Sequence, residues 1–241
     1  MDWYMQGGSH ARAAWLLIGA TLSFMLYWFT VEHVPLRSWL DRRFGAAAWF
    51  IGNKLLGTIL FGVAVPMLSL ILYPSLNLAM MGLRRPSGHW PLAISLTVLL
   101  AFASWNKNRK IARSHGDFGR YPEIRLSEWK VRTIVLHVSL WSLYLLAYEF
   151  MFRGVLLTVC TETMGFPLAV GINVAIYGLA HVPKGVQEAV GAVVLGYVLC
   201  ILTQASGSVC FAWLIHCALA IVNGLSAFHY RSDMHLVGRK G

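Results

Sequence analysis

The chain has 241 residues, of which 57% are hydrophobic and only 12% are charged, with a mean hydropathy of +0.60. A soluble domain carries roughly twice that share of charged residues, so the composition excludes an ordinary soluble protein and indicates a polytopic membrane protein. The formal net charge is +10, but most basic residues lie in loops beside apolar runs. There they set topology and meet anionic lipid, so nucleic acid is not expected as a partner.

Seven apolar runs are long enough, or nearly long enough, to cross a membrane as helices. In chain order they are 13–31, 46–73, 92–105, 133–158, 166–181, 186–204 and 209–228. We therefore predict an all-α transmembrane bundle of about seven spans, forming a single integral-membrane domain over residues 1–241. Lys54 interrupts the second run and could snorkel from near its end. The polar stretches 32–43 and 106–132 are predicted as connections, the second of them a surface segment or a solvated loop.

The distribution of lysine and arginine predicts the orientation of the spans. Fifteen of the 20 lysines and arginines fall in the connections 32–43, 106–132 and 182–185 and in the C-terminal tail. The opposite side holds only Arg12, Arg84 and Arg85. By the positive-inside rule the first set is cytoplasmic, which places the N-terminus outside and the C-terminus inside. We expect a multi-pass protein of the prokaryotic inner membrane.

The fourth run contains two charged residues in Ala147-Tyr-Glu-Phe-Met-Phe-Arg-Gly154. Glu149 and Arg153 are four residues apart, so on a helix their side chains lie one turn apart on one face. Charged side chains in a membrane segment are costly, and they normally face a bundle interior or a wet cavity. The pair is either a structural ion pair or part of a site. Two histidines in later apolar runs, His181 and His216, favour a site.

The fifth run has a polar stripe and an early stop. Asn173, Tyr177 and His181 recur at every fourth residue, which aligns them on one helix face. Pro183 and Gly185 follow directly, and they predict that the helix ends inside the bundle. Irregular backbone at that depth must line protein or a water-filled cavity. The stripe therefore either lines a wet cavity or makes hydrogen bonds between helices.

The last third of the chain resembles the CPBP family, which comprises the type 2 CAAX prenyl proteases and the bacteriocin-processing or immunity (ABI) proteins. The resemblance covers roughly residues 140–225, inside a core of about 133–228. It is carried by Glu149-Phe-Met-Phe-Arg-Gly154, Tyr177-Gly-Leu-Ala-His181, Gly191-Ala-Val-Val-Leu-Gly-Tyr197, Ser206-Gly-Ser208 and His216. The stretch Gly82-Leu-Arg-Arg-Pro86 is a weaker echo.

The resemblance implies an intramembrane endopeptidase of the glutamic type, acting on a peptide, prenylated or membrane-protein substrate. In that family a glutamate and a first histidine activate water, and a second histidine with an Asn-type partner stabilises the oxyanion. Matched residue by residue, His181 and His216 correspond to the two histidines, and Glu149, counted back from Arg153, corresponds to the second glutamate of the motif, which is expected to pair with the arginine. Glu149 could itself act on water with His181 if Arg153 is engaged elsewhere, so Glu149, His181 and His216 are the candidate catalytic groups. Arg153, Tyr148 and Tyr177 are the supporting positions. A histidine with an amide donor is a workable oxyanion hole.

Two positions depart from the family pattern. Tyr148 stands where the first glutamate of the pair, the expected base, is found, and Ala220 stands four residues after His216 in place of the Asn-type residue. Asn223, seven residues after His216 on the same helix face, could serve as the amide donor instead. Glu188, seven residues after His181, could supply a carboxylate, or it is a solvated interfacial charge.

Three functions are compatible with these residues. The first is a divergent membrane endopeptidase, and the second is an inactive pseudo-protease that acts as a membrane scaffold, substrate-binding or immunity-type protein. The third, a proton or solute pathway, lacks any evident broken-helix repeat. No cofactor is predicted. Zinc at Glu149, His181 and His216 is an alternative, because two histidines and a glutamate form a plausible ligand set.

Overall fold

The computed structural model describes residues 2–119 and 121–238, which are almost entirely helical. The helices are α1 (Asp2–Glu32), α2 (Val34–Phe44), α3 (Ala48–Ile59), α4 (Val65–Leu72), α5 (Trp90–Arg113), α6 (Val131–Glu149), α7 (Leu157–Met164), α8 (Phe166–Leu179), α9 (Val186–Ser206) and α10 (Cys210–Tyr230). Leu60–Ala64 and Phe150–Leu156 are π-helices, and Val182–Lys184 is a 3-10 turn. Two short strands, β1 (Glu128–Trp129) and β2 (His235–Leu236), pair in parallel.

Six helical stretches within the described residues are long and apolar enough to cross a membrane. They are Gly8–Glu32, Ala48–Leu72, Val131–Met164, Phe166–Lys184, Val186–Ser206 and Cys210–Tyr230. The predicted all-α polytopic bundle is confirmed. The predicted span 92–105 lies inside α5 and is not among the six, because α5 continues into the polar sequence that contains Lys107, Arg109, Lys110 and Arg113.

The polar connections hold more helix than the sequence suggests. Most of the predicted connection 32–43 is the helix α2, because His33 caps its first turn by accepting a hydrogen bond from the Leu36 amide at 3.1 Å. Pro35 stands in that first turn, where its missing N–H costs nothing. Residues 106–113 likewise continue α5. Arg120, Arg239 and Lys240, which contribute to the predicted charge asymmetry, lie outside the described residues.

Packing divides the described chain into two compact units. The first comprises 2–26, Thr58–His89 and Leu146–Trp213. In it α8 packs against α7 and α9 around buried side chains that include Leu157, Ala169 and Cys200. Gly165, at a φ of +82°, gives the turn between α7 and α8 a conformation that residues with a Cβ rarely adopt. The predicted end of the helix at this point is confirmed, since α8 ends at Leu179 and a 3-10 turn follows at Val182–Lys184, whereas its position inside the bundle stays a prediction.

Within this first unit, the connection after α4 is fastened to the turn between α9 and α10. Arg84 donates its Nε to the carbonyl of Gly207 at 2.7 Å, and Ser208 donates its hydroxyl to the carbonyl of Arg84 at 2.6 Å. The amide of Ser87 donates to the carbonyl of Ser206 at 2.9 Å. These bonds join Gly82-Leu-Arg-Arg-Pro86 to Ser206-Gly-Ser208, two of the sequence elements that carried the resemblance.

The second unit comprises Tyr27–Gly57, Trp90–Leu145 and 214–238. It contains α2, α5, most of α3 and α6, and most of α10, together with the paired strands. Its core is strongly aromatic: Trp129 is fully buried and stacks on Phe228 at a centroid distance of 4.5 Å. Tyr27 stacks on Tyr144 at 5.6 Å.

Candidate active site

A buried ion pair occupies the end of α6. Glu149 is the last residue of that helix and Arg153 lies in the π-helix that follows. The Arg153 Nη1 atom lies 2.9 Å from Glu149 Oε2, and neither side chain is exposed at all. Removing either partner would leave the other charge buried without compensation, so the two residues hold each other in place.

The π-helix Phe150–Leu156 is tied to α8 by an amide side chain. Such wide turns within α-helices are frequent at functional sites. Asn173 donates its Nδ2 to the carbonyl of Phe152 at 2.6 Å, and its Oδ1 accepts a hydrogen bond from the Cys200 thiol at 3.4 Å. Asn173 therefore links the segment that carries Arg153 to both α8 and α9.

Arg153 is held from two further sides. Its Cζ lies 4.0 Å from the ring centroid of Tyr177, a cation–π contact, and its Nη2 donates to the carbonyl of Gly196 at 3.4 Å. A Cβ on Gly196 would lie 3.2 Å from that Nη2 atom and 3.1 Å from Cδ1 of Tyr177. Both distances are shorter than ordinary van der Waals contacts, so a side chain at position 196 would require the guanidinium or the phenol ring to shift.

Tyr177 contacts His181 as well as Arg153. The Nδ1 atom of His181 lies 2.8 Å from the Tyr177 carbonyl oxygen, and the two rings are 4.7 Å apart between centroids. A carbonyl oxygen only accepts hydrogen bonds, so Nδ1 must carry the proton. In the neutral ring Nε2 is then the nitrogen with the lone pair. The polar stripe Asn173, Tyr177 and His181 thus contacts both the ion-pair segment and α9.

Tyr148 stands in the position where the resemblance expects a carboxylate base. It is buried, and its ring lies among aromatic neighbours: Phe152 at 4.8 Å, Phe61 at 5.8 Å and Tyr177 at 5.9 Å between centroids. An aromatic cluster therefore occupies the neighbourhood of the ion pair. Glu149, Arg153, Tyr148, Tyr177 and His181 all belong to the first unit, and the contacts above bring them together.

The other predicted residues lie in the second unit, on α10. His216 is half-buried and Ala220 is buried. Asn223 accepts hydrogen bonds from Asn108 Nδ2 on both its backbone oxygen and its Oδ1, each at 2.9 Å. The amide of Asn223 is therefore oriented by α5.

Two other features bear on the predicted chemistry. Glu188 is half-buried in the first turn of α9. Among residues 2–119 and 121–238, no group of three or more His, Cys, Asp or Glu side chains is arranged to hold a metal ion.

Sequence reasoning missed the part that Gly196 and Cys200 play around the ion pair. Gly196 accepts from Arg153, and Cys200 donates to Asn173. The glycine spacing in Gly191-Ala-Val-Val-Leu-Gly-Tyr197 was an available signal, since a glycine inside an apolar helix often marks close approach of a neighbour. Nothing in the sequence separates Cys200 from the other three cysteines, all of which adjoin apolar runs.

Comparison with known proteins identifies a related family. Residues 126–222 match the family described as "Type II CAAX prenyl endopeptidase Rce1-like". This matched segment is fewer than half of the residues of the chain. No curated protein and no solved structure matches the chain. The matched segment contains every candidate catalytic residue, and the predicted resemblance over this part of the chain is confirmed. The chain is an integral membrane protein whose residues 126–222 resemble the type II CAAX prenyl endopeptidases.

Proposed function

We propose that the chain is a divergent, CAAX-protease-like endopeptidase that hydrolyses a peptide bond with water inside the membrane. The observation that carries this proposal is the 2.8 Å hydrogen bond between His181 Nδ1 and the Tyr177 carbonyl. It fixes the ring so that Nε2 is the proton acceptor of the neutral histidine. A histidine in this state is a suitable general base for a water molecule.

Glu149 and Arg153 support this histidine in the proposal. The Glu149 carboxylate is fully buried and its charge is balanced by Arg153 at 2.9 Å. Arg153 in turn rests on the face of Tyr177, whose carbonyl orients His181. The resemblance matches Glu149 to the glutamate that pairs with the arginine, and direct action on the water was an alternative role for it. These contacts favour a positioning role, in which the ion pair fixes Tyr177 and through it the histidine.

The proposed reaction is ordinary hydrolysis. The water oxygen bonds to the carbonyl carbon of the substrate while His181 takes a water proton. The C–N bond then breaks, and the histidine returns the proton to the leaving nitrogen. The oxyanion needs hydrogen-bond donors, and the resemblance assigns that role to His216, with Asn223 as the amide donor in place of Ala220. Both assignments are part of the proposal.

The substrate and the location are proposed on the same basis. A site built between apolar helices suits a peptide, a prenylated peptide or a membrane-protein segment that enters from the lipid. We place the protein in the prokaryotic inner membrane with the N-terminus outside and the C-terminus inside, following the positive-inside rule. That orientation depends on seven crossings.

A second function, an inactive pseudo-protease that binds such a substrate as a membrane scaffold or immunity-type protein, is favoured by one observation. The position of the expected base is filled by Tyr148, and its ring is packed between Phe61, Phe152 and Tyr177. A binding protein needs shape and hydrogen bonds but no proton acceptor, so this aromatic packing is compatible with binding alone.

Cleavage by purified protein in nanodiscs separates the two functions. The probe is a fluorogenic farnesylated peptide with a CAAX ending, backed by mass spectrometry of membrane proteins from cells that make each variant. The peptidase proposal expects cleavage by the wild type and a loss of at least about 10²-fold in His181→Ala. His10→Ala, which removes an exposed histidine from α1, is the matched control and should cleave normally. Wild-type protein that produces no new peptide termini in either assay, or a folded His181→Ala variant that cleaves like the wild type, would overturn the peptidase proposal.

A further inference from the structure

The second unit contains a buried polar cluster that the proposed function does not use. Lys54, to which the sequence analysis assigned no role, is only 2% exposed. Further buried polar groups of this unit come from α3, α6 and the segment before α6. We call this group the second polar cluster, and its members are Asn53, Lys54, Glu123, Trp129, His137 and Trp141.

The ammonium group of Lys54 is compensated inside the protein. Its Nζ lies 2.8 Å from Glu123 Oε2, 3.4 Å from the ring centroid of Trp141 and 4.7 Å from that of Tyr144. The carboxylate and the aromatic faces thus offset part of the cost of burying this charge. The Glu123 side chain is 27% exposed, so this carboxylate connects the buried lysine with solvent.

His137 shares the same surroundings. It is completely buried, and its ring lies between those of Phe50, at 5.8 Å, and Trp129, at 5.6 Å. A Cβ on Gly224 would lie 2.5 Å from its Nε2, so α10 approaches the edge of the ring closely. Phe50 also lies 5.6 Å from Lys54 Nζ, so the imidazole and the lysine are both close to the same phenyl ring.

Polar atoms without hydrogen-bond partners are concentrated in this cluster. Within the described residues, neither ring nitrogen of His137 has such a partner, and the same is true of Asn53 Oδ1, Trp129 Nε1 and Trp141 Nε1. Asn53 directly precedes Lys54, and His137 and Trp141 lie one turn apart on α6. Buried polar groups in folded proteins almost always have partners, and where the protein supplies none, ordered water does.

We propose that the second polar cluster is a hydrated site, distinct from the Glu149 site, which binds at least one water molecule exchanging with solvent past Glu123. The cluster offers a water molecule both donors and acceptors of hydrogen bonds. Two indole N–H groups and one imidazole N–H can donate, while Asn53 Oδ1 and the other imidazole nitrogen can accept. A buried water needs two to four such partners. The proposal depends only on these contacts, and it holds whether or not the protein is a peptidase.

Cysteine accessibility tests the site in the full-length protein. His137→Cys and Asn53→Cys are treated in nanodiscs with the small hydrophilic thiol reagent 2-aminoethyl methanethiosulfonate. Peptide mass spectrometry locates the label, so the four native cysteines can stay. Leu145→Cys is the matched control because it is a buried apolar position in the same unit and on the same helix as His137.

Water at the site allows the introduced thiol to ionise, and only the thiolate reacts. Cysteines at 137 and 53 should therefore react at least about tenfold faster than the cysteine at 145, because a dry apolar site suppresses the thiolate. Equal rates at all three positions would overturn the proposal.

Should neither cysteine variant fold, His137→Phe gives a second measurement. The phenyl ring keeps the ring contacts with Phe50 and Trp129 but removes both nitrogens. If water bridges them, the variant loses hydrogen bonds and its thermal unfolding midpoint falls. If the cluster is dry, removing two unsatisfied nitrogens raises the midpoint, and the proposal is wrong.

Discussion

The guanidinium of Arg153 lies over the ring of Tyr177, 4.0 Å from its centroid, and so joins the end of α6 to α8. The carbonyl of the same tyrosine accepts a hydrogen bond from His181 Nδ1 at 2.8 Å, so a displacement of Arg153 would also shift the histidine ring. The ion pair, the aromatic ring and the histidine thus form one connected assembly. The first three predictions test this assembly and the contacts that hold it.

Arg153→Ala should strongly reduce both membrane accumulation and the free energy of unfolding. The change leaves Glu149 buried without its partner, at a cost of roughly 3–5 kcal/mol. The measurement is the amount of folded protein in membranes, together with thermal unfolding in detergent.

Two variants provide the contrast. Arg231→Ala breaks an ion pair whose Asp233 side chain is 60% exposed, so it should change stability little. His181→Ala should accumulate nearly normally, since the proposal gives this residue a chemical role. A loss of protein in His181→Ala as large as that in Arg153→Ala would mean that the histidine is structural as well.

Gly196→Ala should lower stability and disturb the site, whereas Gly191→Ala, on the same helix, should not. The added Cβ at 196 would lie 3.2 Å from Arg153 Nη2 and 3.1 Å from the Tyr177 ring, while at 191 it meets nothing within 4 Å. Alanine at 191 should even stabilise α9 slightly, by up to about 1 kcal/mol of helix propensity. Thermal unfolding of both variants checks this, and equal midpoints would show that the α9 backbone does not confine the guanidinium.

Asn173→Leu should destabilise the protein by about 1–3 kcal/mol, because it leaves the carbonyl of Phe152 buried without its 2.6 Å donor. Thr163→Val is a suitable control in the same unit, since Thr163 only donates back to carbonyls of its own helix, Val159 and Cys160. The two unfolding midpoints are compared in the same detergent. A Thr163→Val variant as unstable as Asn173→Leu would argue against a special role for the amide.

Much of the fold could be predicted because the membrane simplifies the problem. Long apolar runs must be helices in lipid, so composition alone indicates the class. The early end of α8 was also readable, since Pro183 and Gly185 disfavour a continuing helix. The pairing of Glu149 with Arg153 follows from their spacing of four residues, which places both on one helix face.

The remainder depends on contacts between segments that are distant in sequence. No role was predicted for Lys54, yet it binds Glu123, a residue 69 positions further on whose approach no local pattern indicates. The π-helix after Glu149 is stabilised by Asn173 from another helix, so the sequence of that segment does not encode it alone. Contacts with distant segments determine the conformation at such positions, and a single sequence does not show which segments come into contact.

The membrane topology can be tested at α5. This helix runs from Trp90 to Arg113 and contains the predicted short span 92–105. Reporter fusions after residue 88 and after residue 116 should report opposite sides of the membrane if α5 crosses it, as the predicted orientation requires. The same side for both fusions would leave six crossings and place both termini on one side.

Restoring the family pattern is the sharpest test of whether Tyr148 has silenced the site. Under the pseudo-protease alternative, Tyr148→Glu combined with Ala220→Asn should create or raise cleavage of the farnesylated probe, because the pair supplies a base and an amide donor. Position 148 lies about 100° around the helix from position 149, so the new carboxylate would face a different direction from Glu149.

Tyr148→Gln with Ala220→Asn is the matched control, since glutamine has nearly the shape of glutamate but cannot accept the proton. Cleavage that rises equally in both would mean that losing the tyrosine ring, and not gaining a base, opens the site. Robust cleavage by the wild type that disappears in His181→Ala would rule out the pseudo-protease alternative without any restoration.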